Sequence, residues 1–274
     1  MSSVAGNRDF IKSILYAIAT APDLADFYAS LVLKGGVALN LKFESDRLSI
    51  GDMDFGLTQK DRQITQDDFD TLMAELDDWG VGIKNGGSRN LIVKGDGIDT
   101  PVITYVHPGT GETGELELQV NANQAPPVLT AEMEEQPLES FTTWDGRAFS
   151  FRVMRLEEIA GEKMCRLWRP DKRPPRAVDL YDLGYCREQP DFDIWEIVRV
   201  VRRHRKADSE GHLIKIKDAM PEVRKTAKDK PGQVLAARKM ALFGANITNE
   251  DINRRVASGL ALLVEVAKTL GTRA

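Results

Sequence analysis

Asp52 and Asp54 flank Met53 in Gly51-Asp52-Met53-Asp54-Phe55, and a glycine pair, Lys34-Gly35-Gly36, precedes them by about one short helix. In a strand, residues i and i+2 point to the same face. Two carboxylates on one face repel, and a bound divalent cation is what usually removes that repulsion. A glycine turn lets backbone N–H groups come close to phosphate oxygens. Metal plus phosphate suggests nucleotide chemistry. Nucleotidyl transfer asks for metals that bridge phosphates and stabilise the leaving pyrophosphate more than for covalent help. A third carboxylate from an adjacent strand commonly completes such a site. The candidate strand is Glu115-Leu116-Glu117-Leu118-Gln119-Val120, in which Glu115, Glu117 and Gln119 share a face. Glu117 is the expected third ligand, and alignment at Gln119 instead would weaken the site.

The elements that must position these acids can be read in order. Phe10, Ile11, Ile14, Leu15 and Ile18 recur at near-helical spacing, so residues 7–30 read as helical, broken at Pro22. Leu31-Val32-Leu33 is a short strand or a helix end that delivers the chain to the glycines. Val37 to Phe43 suits a short helix, Arg47 to Gly51 a loop, and Asp52 to Leu57 a strand. Gln66 to Trp79 is amphipathic, with Phe69, Leu72, Met73 and Leu76 on one face. Short strands with glycine turns follow: residues 90–93, 102–106, 115–120 and 149–153. After residue 154 only helices are expected, over 155–168, 176–187, 191–205, a stretch within 208–240, and 248–270. The fold class is therefore α+β, with an α/β domain over residues 1–154 and an all-helical domain over 155–274.

Hydrophobic residues at 42% and charged residues at 29% describe a globular chain with ample core material. The best candidate stretch, Leu260 to Val266, is too short for a membrane span. The N-terminal residues lack a basic region followed by an apolar one, and Cys165 and Cys186 stand far apart without zinc spacing. A cytoplasmic protein is expected. The net charge of −5 hides a split: residues 1–150 carry 11 Lys+Arg against 24 Asp+Glu, a net of −13, and residues 151–274 carry 26 against 18, a net of +8. An acidic half that needs cations joined to a basic half fits an enzyme with a polyanionic substrate. Chance surface composition is the alternative.

Four ordered pieces carry a family resemblance. Leu33-Lys34-Gly35-Gly36-Val37-Ala38-Leu39-Asn40-Leu41, then Arg47-Leu48-Ser49, then Asp52-Met53-Asp54-Phe55 form the opening. Leu156 to Lys163 and Arg176-Ala177-Val178-Asp179-Leu180-Tyr181-Asp182-Leu183 follow in the second half. Together they resemble the AbiEii/AbiGii-type nucleotidyltransferase toxins, relatives of the mycobacterial MenT toxins within the DNA polymerase β-like nucleotidyltransferase superfamily. The matched stretches span about residues 31–57 and 155–183.

This resemblance implies a nucleotidyltransferase-like mixed sheet with flanking helices, Mg²⁺ or Mn²⁺ as cofactor, and an NTP as substrate. It also implies a toxin of a toxin–antitoxin or phage-defence pair that transfers nucleotides onto RNA, with the 3′ end of tRNA as the expected acceptor and a cognate antitoxin as partner. By the same resemblance Asp52 and Asp54 are catalytic metal ligands; Gly35 and Gly36 are the expected nucleotide contacts, and Lys34 is either a phosphate contact or a turn lysine in water. The family-like turn usually continues with Ser or Thr where this chain has Val37, so a hydroxyl contact to phosphate is either lost or supplied by Ser49. Lys163 would hold the triphosphate, a task suited to a point charge with three donors. The residues alone favour an exposed helix lysine paired with Glu162 or Glu158, and it is the ordered resemblance that reverses this. Asp179 either orients Lys163, acts on the acceptor hydroxyl, or is a first-turn acid favoured by the helix dipole. Asp182 and Tyr181 are expected to pack or cap.

Arg166, Arg169, Lys172, Arg173 and Arg176 surround a proline-rich loop, and Arg199, Arg202, Arg203, His204, Arg205 and Lys206 form a second basic cluster. Phosphate neutralisation without base reading works through such residues. Arg169, Lys172, Arg173 and Arg176 are the expected RNA contacts. A solvated basic helix face is the alternative for the second cluster. Two rival functions remain open at this stage: a transferase that modifies a protein or small molecule, and a degenerate relative that only binds nucleotide or RNA.

Overall fold

The computed structural model describes residues 4–43, 45, 52–57, 65–78, 82–83, 93–94, 98–99, 102–106, 113–121, 136–143, 145–168, 174–207, 216–229 and 247–271. The chain divides into two compact units, Met1–Met154 and Arg155–Ala274.

In the first unit, α1 (Val4–Thr20) ends where Pro22–Leu24 forms a 3₁₀ turn, and α2 (Ala25–Ser30) follows. The break falls at Pro22 as expected, because proline tolerates only the first helical turn. The chain then enters β1 (Leu31–Lys34), α3 (Gly35–Lys42), β2 (Asp52–Leu57) and α4 (Gln66–Asp78). Short strands β3 (Gly82–Ile83), β4 (Val93–Lys94) and β5 (Ile98–Asp99) lead to β6 (Val102–Val106) and β7 (Thr113–Asn121). These seven strands make one mixed sheet. β7 lies at its centre, parallel to β2 on one side and antiparallel to β5 and β6 on the other.

A separate hairpin, β8 (Leu138–Thr142) with β9 (Ala148–Arg152), closes the unit. Val153 bridges Leu33, and the Met154 N–H donates to the Leu33 carbonyl at 2.9 Å, so the hairpin is tied to β1. The core between them is aromatic and aliphatic. The Phe151 ring centroid sits 5.9 Å from that of Phe55 and 5.4 Å from that of Tyr28, and Phe10, Ile14, Leu15, Leu31 and Leu33 are buried in the same unit. Each such fully buried side chain contributes about 1.5–3 kcal/mol relative to exposure.

Among the described residues, the second unit contains only helices: α5 (Leu156–Leu167), α6 (Ala177–Arg187), α7 (Ile194–Ala207), α8 (Ile216–Lys228) and α9 (Asn249–Thr269). α6 is buried along nearly its whole length. It packs on α9 at glycine contacts: a Cβ at Gly184 would overlap the Arg255 carbonyl, and one at Gly259 the Leu180 carbonyl. No described helix is long and apolar enough to cross a membrane.

Candidate active site

Three sequence stretches that carry candidate chemistry meet at the end of β1. β1 and β2 run antiparallel with Lys34 opposite Asp54. β2 and β7 run parallel, which sets Glu117 opposite Asp52 and Gln119 opposite Asp54. α3 begins directly at Gly35, two residues earlier than its apolar pattern suggested. The reason is conformational: Gly35 has φ +68°, the left-handed region that glycine enters without steric cost. Space is the second reason, because a Cβ at Gly35 would overlap Asp54 Oδ2 and stand 3.2 Å from its Cγ. The Asp54 carboxylate therefore rests on the bare backbone of the glycine turn. Met53 and Phe55 on either side of Asp54 are buried and Asp54 is half-buried, as strand alternation requires.

A clasp that sequence reasoning did not find holds the far end of α3. Arg8 on α1 donates from Nε to Asn40 Oδ1 at 2.8 Å and from a terminal nitrogen to the Ser45 carbonyl at 3.0 Å. Asn40 Nδ2 reaches the same carbonyl at 3.1 Å, and the Ser45 N–H returns to Leu39 O. The clasp fixes the chain where it leaves α3 towards the acidic strand. Asn40 lies inside the recognised motif, but nothing in the sequence links it to Arg8, 32 positions away. Ser49 and the expected loop at 47–51 lie outside the described residues, as do the side chains of Asp52, Glu117 and Gln119. Among the described residues no group of three or more His, Cys, Asp or Glu side chains converges in a way that would hold a metal. The donor chemistry fits a hard divalent cation all the same: carboxylate oxygens on β2, a glutamate in register with Asp52, and a glycine turn that leaves room at Asp54.

In the helical unit, Lys163 on α5 is not an exposed lysine paired within its own helix. It is only 8% exposed, and its Nζ lies 2.6 Å from Asp182 Oδ2 and 3.5 Å from Asp179 Oδ1 on α6. Glu158, the alternative partner, is itself buried and accepts from Arg203 on α7 at 2.8 Å. Asp182, expected to pack or cap, is a fully buried ion-pair partner. Its signal was the i, i+3 spacing from Asp179, which puts both acids on one face of a helix.

Arg176, the residue preceding α6, forks onto Asp179 with Nε at 3.0 Å from Oδ2 and a terminal nitrogen at 3.1 Å from Oδ1. Arg166 Nε stands 3.9 Å from Asp179 Oδ2. Burial, the largest influence on the Asp179 carboxyl, pushes its pKa up. The Lys163 charge, the Arg176 hydrogen bond and the Arg176 and Arg166 charges together outweigh it and hold the group well below the usual carboxylate range. A carboxylate held this way gathers cations and is a poor proton acceptor. Of the expected RNA contacts, Arg169, Lys172 and Arg173 lie outside the described residues, and Arg176 is on this network.

The mixed sheet thus carries Asp52 and Asp54 on β2 beside a glycine-started helix, and a helical unit follows it in the chain. The family described as nucleotidyl transferase AbiEii toxin, Type IV toxin–antitoxin system, matches residues 14–253. The chain belongs to this family and is a nucleotidyltransferase. No curated protein matches it. Among solved structures it is similar to JHP933 from Helicobacter pylori, at 16% identity over 99% of this chain and 94% of that one, with a TM-score of 0.49. It is also similar to an H. pylori protein provisionally described as a nucleotidyltransferase, at 19% identity over 99% of this chain and 98% of that one, with a TM-score of 0.47. Superpositions at that level carry nothing about activity.

Proposed function

We propose that this chain is a metal-dependent toxin of a toxin–antitoxin or phage-defence system that acts in the cytoplasm and transfers nucleotides from an NTP to RNA, with the tRNA 3′ end as acceptor. The observation that carries this reading is the seat of Asp54 on the Gly35 turn, with Asp52 two residues back and in register with Glu117. Asp52, Asp54 and Glu117 would hold Mg²⁺ or Mn²⁺, which supplies charge neutralisation for the phosphates when bound. Lys34, Gly35, Gly36 and Ser49 would receive the nucleotide phosphates, and Lys163 the triphosphate. In the transfer itself, the acceptor hydroxyl oxygen bonds to the α-phosphorus, the bridging oxygen leaves with pyrophosphate, and the hydroxyl proton passes to solvent. The burial of Asp179 and the cations around it support its orienting Lys163 over its acting on the hydroxyl.

RNA as acceptor is supported by the basic balance of residues 151–274, with Arg169, Lys172, Arg173 and Arg176 as phosphate contacts. Family membership supports a cognate antitoxin as the protein partner. The test is to incubate the purified protein with Mg²⁺ or Mn²⁺, total RNA and each labelled NTP in turn. Label should enter RNA of tRNA size and be absent with Asp54→Asn. Label in protein, or in no polymer, would overturn the RNA reading.

A further inference from the structure

Helix α7 has two unlike faces. Ile197, Val198, Val200 and Val201 are buried, and a Cβ at Gly161 on α5 would overlap the Val200 side chain, so this side packs closely on α5. The opposite side carries Trp195, Arg199 and Arg202, all exposed. They stand at i, i+4 and i+7, the spacing that lines side chains along one helical face. At about 1.5 Å of rise per residue, Arg199 lies about 6 Å and Arg202 about 10.5 Å along the axis from Trp195. The Trp195 backbone N–H is anchored on Asp193 Oδ1 at 2.8 Å, while its indole, 64% exposed, makes no hydrogen bond or ring contact. Among the described residues the other exposed large apolar side chain is Leu138, in the first unit, so the indole is not the centre of a wider apolar patch. A protein interface surrounds its aromatic anchor with further apolar surface, whereas the neighbours of Trp195 on this face are guanidiniums. Arg199 pairs with Glu196 on its own helix, in an exposed ion pair that is weakly held, and Arg202 has no ion-pair partner. An open ring face with cations beside it matches a single-stranded nucleic acid, whose bases stack on aromatic side chains while its phosphates are neutralised. Such stacking needs a free ring face and no pocket.

We propose that Trp195, Arg199 and Arg202 form a platform for single-stranded RNA on the helical unit: an unpaired base stacks on the indole, and the phosphates beside it meet the two guanidiniums. The proposal rests on the reading that the acceptor is RNA, and it deepens that reading by requiring an unpaired stretch. The net charge of +8 over residues 151–274 attracts any nucleic acid, and Trp195 supplies the preference for one whose bases are free.

The experiment measures binding of a ribo-oligonucleotide that cannot pair with itself, and of an RNA duplex of equal length, to the full chain across a salt series. The proteins are wild type, Trp195→Ala, Trp195→Tyr, the Arg199→Gln, Arg202→Gln double variant, and Leu138→Ala. The last is a control that removes the other exposed apolar side chain. Trp195→Ala should bind the single strand about tenfold more weakly with an unchanged salt slope, and should bind the duplex as wild type does. Trp195→Tyr should recover most of that loss. The arginine double variant should bind the single strand more weakly and lower its salt slope by about 0.7 for each arginine, while Leu138→Ala changes nothing. Wild-type affinity of folded Trp195→Ala for the single strand overturns the proposal and leaves the indole to a protein partner. An equal loss for the duplex overturns it too, because a duplex offers no free base to stack. Should Trp195→Ala fail to fold, fluorescence decides: the single strand should quench wild type more than Trp195→Tyr, and equal quenching removes the proposal. NTP-dependent labelling of RNA is read in parallel. A wild type that binds the strand through Trp195 but labels no RNA keeps the platform and removes RNA as the acceptor; labelled RNA beside an unaltered affinity of Trp195→Ala does the reverse.

Discussion

At the scale of single residues, Gly35 and Asp54 make the most demanding pair, because one position answers to both a backbone angle and a volume. Gly146 separates the two. It also has a positive φ, +88°, yet a Cβ there would meet nothing within 4 Å. Gly146→Ala should therefore cost about 1 kcal/mol of stability in a urea melt through backbone strain alone and leave nucleotide labelling unchanged. Gly35→Ala should show the same strain and, in addition, push the Asp54 carboxylate from its seat, with labelling reduced at least tenfold per folded molecule. Equal activity in the two variants would detach Asp54 from the chemistry. The Asp179 carboxyl supplies a pH test. Its folded pKa is depressed, so its contribution to stability is complete above the ordinary carboxylate value of about 3.9 and is lost as pH falls from there through the folded value. The stability gap between wild type and Asp179→Asn should stay constant from about pH 7 to pH 5 and close progressively in more acid solution. A gap that does not shrink would mean the carboxylate is not held ionised by its neighbours.

Elements show what could be read from the sequence and what could not. The acidic strand Asp52–Leu57 and strand β6 were legible to the residue, because strand alternation and β-branched runs are local signals. β8 was not legible: its pattern of Glu139, Ser140 and an exposed Leu138 describes an outer strand with a single buried position, Phe141. The start of α3 was misplaced by two residues, since glycine carries no apolar signal and its role depends on Asp54, nineteen positions on. In the same way the Lys163–Asp182 pair joins two helices, and only packing reveals that the lysine is buried. α9 was legible from its apolar face, and its entry is set by a capping box: Thr248 Oγ1 accepts from the Asp251 N–H at 3.0 Å while Asp251 Oδ2 accepts from the Thr248 N–H at 3.1 Å. Thr248→Ala should cost about 1 kcal/mol, read as a drop of a few degrees in Tm. Gly259→Ala on the same helix should cost more, about 1–3 kcal/mol, because a backbone carbonyl on α6 blocks the added methyl and cannot rotate away. A smaller loss for Gly259→Ala than for Thr248→Ala would contradict the close packing of α6 on α9.

For the molecule as a whole the governing quantity is the division of charge along the chain, −13 over residues 1–150 and +8 over residues 151–274. On the proposed reading the acidic half would repel RNA, so affinity for it would have to come from the basic half. The second basic cluster is partly committed within its own unit: Arg203 pairs with Glu158, and Arg199 with Glu196. The proposed RNA contacts at Arg169, Lys172 and Arg173 are therefore the first to be tested. Reversing Arg169, Lys172 and Arg173 to Glu should weaken RNA binding, lower the salt slope by about one unit for each phosphate no longer neutralised, and leave NTP affinity nearly unchanged. Titration of RNA at several salt concentrations reads the first two effects, with NTP binding measured beside it. A reversed protein that binds RNA with the wild-type slope would show that the loop does not face RNA, and Arg199 to Lys206 would be tested next. Failure at both clusters would point to an acceptor with few phosphates, a protein or a small molecule, because a nucleic acid cannot be held against a half of net charge −13 without its phosphates being neutralised elsewhere.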